Sequence, residues 1–67
     1  MEKFQERLRE LRIEKGLKQR QLAEILQTTD DSIFSWEKGR SQPSIEFICK
    51  ICAYFEVTAD YLLGLED

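Results

Sequence analysis

Cys49 and Cys52 stand three residues apart, the one pair in this 67-residue chain with the spacing of a redox or metal centre. Two thiols are not a structural zinc site, which takes four ligands, and the chain has no histidine to supply the others. On a helix, positions i and i+3 share a face, and here that face also carries Ile48 and Phe55, so the cysteines are expected in the core. No serine, cysteine or carboxylate lies beside a plausible base. No catalytic residue, metal or cofactor is therefore expected, and the chain is not read as an enzyme. What remains is ionic chemistry. Ten Lys/Arg stand against thirteen Asp/Glu, a net charge of −3 that gives no general attraction to phosphate. The distribution says more than the total. Residues 1–11 balance to zero, residues 12–43 carry six bases and five acids, and residues 44–67 carry Lys50 against five acids. Acidity collects in the C-terminal third, so a surface built from the middle third is neutral to basic.

Such a surface needs elements to hold it. Sixty-seven residues make one domain, 1–67, with a thin core in which each large apolar side chain has a packing role. In residues 2–15, Phe4, Leu8 and Leu11 recur at helical spacing, and Gly16 reads as the stop. Leu17 leads into a second short helix over 18–26, with Leu22, Ala23 and Leu26 inward. After the polar break Gln27-Thr28-Thr29, Thr29 reads as the cap of a third helix, and Asp30 and Asp31 suit its positive end. Ile33 and Trp36 face the core, and Gly39 closes that helix. Pro43 ends the loop Arg40-Ser41-Gln42-Pro43. Ser44 then opens a fourth helix with Ile45, Ile48, Cys49, Cys52 and Phe55 as its apolar positions, and Thr58 caps a fifth that runs through Leu63 to Gly64. No strand pattern appears, so the fold class is all-α, five short helices. The N-terminus is charged from its second residue and no apolar run approaches a membrane span. A cytoplasmic location with reduced thiols is expected, with no membrane partner.

Two short helices joined by a tight turn and followed by a basic loop have the layout of a DNA-reading helix-turn-helix. The second helix of such a pair enters the major groove, and the first crosses the backbone and fixes the register. Three runs of residues sharpen the likeness. They are Leu8-x-x-Leu11-Arg12; Gly16-Leu17-x-Gln19-x-x-Leu22-Ala23; and Ser32-Ile33-x-x-Trp36-Glu37-x-Gly39-Arg40-x-x-Pro43-Ser44. With the ending Phe55-x-Val57-Thr58-x-Asp60-Tyr61-Leu62-Leu63-Gly64, they resemble the Cro/phage-repressor (xenobiotic-response-element) helix-turn-helix family over nearly the whole chain.

That resemblance implies a lambda-repressor-like DNA-binding domain with the helix-turn-helix at helices 2 and 3. It implies that Gln19 contacts phosphate and buttresses the recognition helix, and that Thr29, Asp30, Asp31 and Ser35 look into the groove. Ser32 then reaches base or backbone, and Arg40 reaches phosphate. Arg12 and Glu37 match a structural ion pair between helices 1 and 3; the alternative is two independent surface charges. Cys52 replaces a small residue that relatives bury. Lys18 stands where relatives carry a Ser or Thr cap, losing a hydrogen bond worth about 1 kcal/mol and offering a phosphate contact instead. Gln27 replaces the usual turn glycine, in a place that calls for left-handed geometry. Asp30 and Asp31 occupy positions where phage repressors often carry glutamines. A carboxylate only accepts hydrogen bonds, so it suits the amino group of cytosine and not guanine; the expectation is that Asp31 points at bases and Asp30 caps or faces solvent.

Trp36 has the alternative of stacking on a base, but its phase with Ile33 assigns it to the core. Lys38 is either a phosphate contact or an ordinary solvated charge. Phe34, Phe47, Tyr54 and Tyr61 exceed what a core this thin encloses, and an apolar patch near helix 5 would serve dimerisation. The function expected is sequence-specific binding of double-stranded DNA by a transcriptional regulator, read as a repressor. It would work as a homodimer on half-sites about one helical turn apart, without a small-molecule ligand. The competing reading is a protein-interaction module or antitoxin-type partner that keeps the fold with weak or no DNA binding.

Overall fold

The structure, a computed structural model, describes residues 2–66. Its elements are α1 Glu2–Glu14, α2 Gln19–Leu26, α3 Asp30–Lys38, α4 Ile45–Phe55 and α5 Ala59–Leu63, with no strand among the described residues. The all-helical architecture with a helix-turn-helix at α2 and α3 is as expected.

The helix starts follow from hydroxyl caps. Thr29, Ser44 and Thr58 are extended and accept from the backbone N–H three residues on, in Ser32, Phe47 and Tyr61, at 3.2, 3.3 and 3.0 Å. The ends follow one plan. Each helix stops on a left-handed residue, and the next N–H reaches back five positions to a carbonyl, as Leu17 does to Arg12 and Thr28 to Ala23. Glycine fills that position at 16, 39 and 64; Gln27 and Glu56 fill it with φ of 62° and 58°.

One core joins the five helices: Phe4 and Leu8 of α1; Leu22, Ala23 and Leu26 of α2; Ile33 and Trp36 of α3; Ile51 and Phe55 of α4; Leu62 of α5. Burying a side chain of this kind contributes about 1.5–3 kcal/mol, so none is dispensable in so small a core. Trp36 packs on Phe47 with ring centroids 5.3 Å apart. At the rear, the Arg7 guanidinium lies 4.3 Å from the Tyr61 ring centroid and donates to the Tyr61 and Glu66 carbonyls, tying α5 to α1.

Two expectations for α4 are corrected. Ile45 is 82% exposed. It is the first residue after the Ser44 cap, and helical Cα–Cβ bonds tilt toward the N-terminus, so its side chain leans out past the helix end. Cys49 is also exposed, while Ile51 is fully buried. The inward stripe is Ile48, Ile51, Cys52 and Phe55, and a residue two positions from Ile51 lies about 200° around the helix from it. Cys52 alone of the two thiols meets the core. Burial, and then the neighbouring Cys49 thiol, push the Cys52 pKa above the ordinary thiol value. Of the four surplus aromatics, Phe47, Tyr54 and Tyr61 are half-buried and Phe34 is exposed.

Candidate nucleic-acid interface

The α2–α3 turn begins at Gln27, whose backbone is left-handed at φ 62° and ψ 48°. A non-glycine residue in this conformation costs on the order of 1–2 kcal/mol. Lys50, on α4, offsets part of that cost: its ammonium donates to the Leu26 carbonyl at 3.4 Å and to the Gln27 side chain at 3.5 Å. A cation at a helix C-terminus is also favourable to the helix dipole. Lys50 is thus turned toward the protein.

Thr29 and Ser32 share their hydroxyls at 3.1 Å, so both side chains are engaged at the start of α3. Asp30 and Asp31 follow in its first turn, both exposed, and neither makes an ion pair among the described residues. Ile33 and Trp36 anchor the inner side of α3. The opposite side presents Asp31, Phe34, Ser35 and Lys38, with Asp30 at its margin, as 100° per residue requires.

Behind α3, directional bonds fix its attitude. Arg12 donates from Nε to Glu37 Oε2 at 2.6 Å and from Nη2 to Oε1 at 3.0 Å, a bidentate pair with side chains only 12% and 4% exposed. Arg12 Nη1 also donates to the Leu17 carbonyl at 2.9 Å, and Gln19 Nε2 donates to Glu37 Oε1 at 3.2 Å. Three segments meet at one carboxylate, α1 through Arg12, α2 through Gln19 and α3 through Glu37 itself, and the same guanidinium holds the α1–α2 loop at Leu17. Two-pronged Arg–carboxylate geometry fixes orientation as well as distance. Gln19 is half-buried, with its amide committed inward to Glu37.

Lys18 is extended and exposed at the start of α2. Its side chain has donors only and cannot cap the helix; instead the Gln21 side chain accepts from the Lys18 backbone N–H at 2.7 Å. Beyond α3, Arg40 is exposed, its backbone N–H donates to the Ser35 carbonyl at 2.9 Å, and its guanidinium lies 5.3 Å from the Phe34 ring centroid. The Lys38 ammonium lies 5.8 Å from the same centroid. Phe34 was missed as a functional candidate, because sequence alone grouped it with the other surplus aromatics. The available signal was its place one turn after Asp30 and one turn before Lys38.

The face therefore offers acceptors at the start of α3, an apolar ring at its middle and two cations at its end. Its chemistry is hydrogen-bonding and ionic. Among the described residues no three His, Cys, Asp or Glu gather to hold a metal, and no helix is long and apolar enough to cross a membrane.

Residues 8–62 match the family model described as helix-turn-helix. Over 64 residues the chain is 42% identical to the HTH-type transcriptional activator BcrR of Enterococcus faecalis, covering 96% of this chain and 31% of that protein. It is 37% identical over 65 residues to the HTH-type transcriptional regulator DdrOP3 of Deinococcus deserti, covering 96% of this chain and 50% of the relative. An SPbeta prophage-derived uncharacterized HTH-type transcriptional regulator of Bacillus subtilis, YonR, is 32% identical over 60 residues, covering 90% of this chain and 56% of its own length. The chain thus spans between about a third and just over half the length of these relatives.

Proposed function

The chain belongs to the helix-turn-helix family, and from that membership we propose that residues 1–67 act as one DNA-binding domain of a transcriptional regulator. In this reading α3 lies in the major groove of double-stranded DNA. Its first turn presents Asp30 and Asp31, with Thr29 and Ser32 beside them, Ser35 farther along, and Lys18 and Arg40 on flanking phosphates. Gln19 acts through Glu37 to hold α3 at its angle to α2. The observation that carries the reading is the two-sidedness of α3. Ile33 and Trp36 are buried and Glu37 is clamped from behind, while Asp30, Asp31, Phe34 and Lys38 stand exposed and Ser32 and Ser35 are half-buried beside them.

Groove recognition needs just such a helix, because base edges are read by side chains standing clear of the fold. Its acceptors match the exocyclic amino group of cytosine, and its cations match phosphate. Acting by occupancy of its site as a two-fold dimer, the protein represses in this reading, in the cytoplasm and without a small-molecule ligand.

Selection of random duplex DNA by the purified protein, with footprinting of the enriched sequences, tests the reading. The expected result is one sequence, repeated with two-fold symmetry about one helical turn apart, with affinity falling steeply as salt rises. Asp31→Ala is expected to relax the preference at one base position per half-site, and Asp30→Ala to leave it in place. Enrichment of no sequence in dilute buffer sinks the proposal. It would favour the second reading, a protein-interaction module, for which the net charge of −3 and the unpaired Asp30 and Asp31 among the described residues speak. A reporter driven across the selected site gives the sign of regulation.

A further inference from the structure

We infer that Phe34 is a specificity-determining residue that reads the 5-methyl group of a thymine in the major groove, an inference that rests on the DNA-binding reading above. Five large apolar side chains are exposed among the described residues, from Phe34 at 36% to Ile45 at 82%, with Ile13, Ile25 and Leu65 between them. Phe34 alone of them is on α3, and it is the one aromatic ring in the set. On that helix it falls between Asp31 and Asp30 on one side and Lys38 on the other, within the band of side chains opposite Ile33 and Trp36. A phenyl ring there gains nothing from water. Major-groove edges, however, offer one apolar group, the thymine methyl.

The two cations sharpen the assignment. Arg40 and Lys38 lie 5.3 and 5.8 Å from the ring centroid, so two cations suited to phosphate stand close to the ring. The neighbouring carboxylates cannot donate to the acceptors of guanine or to thymine O4. On this surface the thymine methyl is matched by the ring and the cytosine amino group by Asp31, while the Ser35 hydroxyl and the Lys38 ammonium are the donors left for thymine O4 or guanine. The same contact would accept 5-methylcytosine, which carries its methyl at the equivalent place.

The test uses the duplex enriched by the intact protein and replaces each thymine in turn with deoxyuridine, which removes the methyl and leaves every hydrogen-bonding group unchanged. For the unaltered protein, one thymine per half-site is expected to show about fourfold weaker binding on replacement, the value of burying one methyl group. Phe34→Ala is expected to bring that ratio to about one. Phe34→Asn, which keeps a side chain there but makes it polar, is expected to do the same. Circular dichroism should show both variants folded, since Phe34 is 36% exposed and lies outside the set of fully buried core side chains.

Three results overturn the inference. The first is indifference of every thymine to deoxyuridine in the unaltered protein. The second is persistence of the fourfold ratio in both variants. The third is weaker binding of all duplexes by both variants, by one factor and with a shallower salt dependence, which makes Phe34 a prop for Arg40. In each of these three the DNA-binding reading stands, whereas failure to enrich any sequence removes that reading and this inference together.

Discussion

α3 and α4 start alike. A hydroxyl, Thr29 or Ser44, accepts from the backbone N–H three residues on, and an acid follows in the first turn. Both bury an apolar stripe in the same core. They part company on the side turned outward and in how they are fixed. α3 is clamped at Glu37 by two guanidinium bonds and one amide bond, and its outward side ends in Lys38 with Arg40 beyond. α4 has no such clamp among the described residues. Ile45, Glu46, Cys49 and Ala53 face outward from it, and Lys50, its one cation, is spent on the end of α2. Apolar burial keeps a helix in place but is non-directional, whereas a two-pronged ion pair sets an angle. The helix whose angle matters carries the directional bonds.

Removing the clamp should separate the two helices most sharply. Glu37→Ala leaves the Arg12 charge buried without its partner, a loss of about 3–5 kcal/mol, enough to unfold a domain of this size in large part at 25 °C. Glu46→Ala, on the exposed start of α4, should shift stability by no more than about 0.5 kcal/mol. Equal shifts in thermal unfolding would erase the distinction.

The next contrast is in binding. Arg40→Ala should flatten the salt dependence of DNA affinity by about 0.9 in the log–log slope, one phosphate's worth, while Lys50→Ala leaves the slope unchanged. A slope insensitive to Arg40 would take that residue off the duplex.

Smaller again is the effect expected at the end of α4. Glu56 is left-handed at φ 58°, so Glu56→Gly should raise stability by about 0.5–1 kcal/mol, less than the full conformational gain because glycine also loosens the unfolded chain. Denaturant melts should show the rise with no change in slope.

The smallest effect concerns the thiols. Cys49 should react with iodoacetamide ahead of Cys52 near neutral pH, and the gap should narrow as pH rises. The folded chain keeps Cys52 protonated to higher pH than the unfolded chain does. Its contribution to stability is therefore complete below the ordinary thiol pKa of about 8.5 and declines as pH climbs through the raised value. Equal labelling rates would place Cys52 outside the core.

Much of the fold was legible in single residues. Thr29, Ser44 and Thr58 as caps, Gly16, Gly39 and Gly64 as stops, and Phe4, Leu8, Ile33 and Trp36 as core follow from local rules and hold in the structure. The phase of α4 was not legible. Ile45-Ile48-Cys49-Cys52-Phe55 and Ile48-Ile51-Cys52-Phe55 are both helical stripes, and only packing against the other helices selects between them. For the candidate site, the resemblance pointed to Arg12, Gln19 and Glu37, but their convergence on one carboxylate spans 25 residues of sequence and has no local signature. Phe34 was hidden for a related reason, since Arg40, one of its two flanking cations, lies beyond the glycine that ends its helix.

Because Gln19 and Arg12 share Glu37, the angle between α2 and α3 is set in the free protein. An incoming duplex on the proposed face would find it already at its working value. Association would then forfeit little motional entropy in the backbone, and the cost of docking would fall on long surface chains such as Lys18 and Arg40. Recognition of this kind is lock-and-key at the level of helices and adaptive only at their fringes.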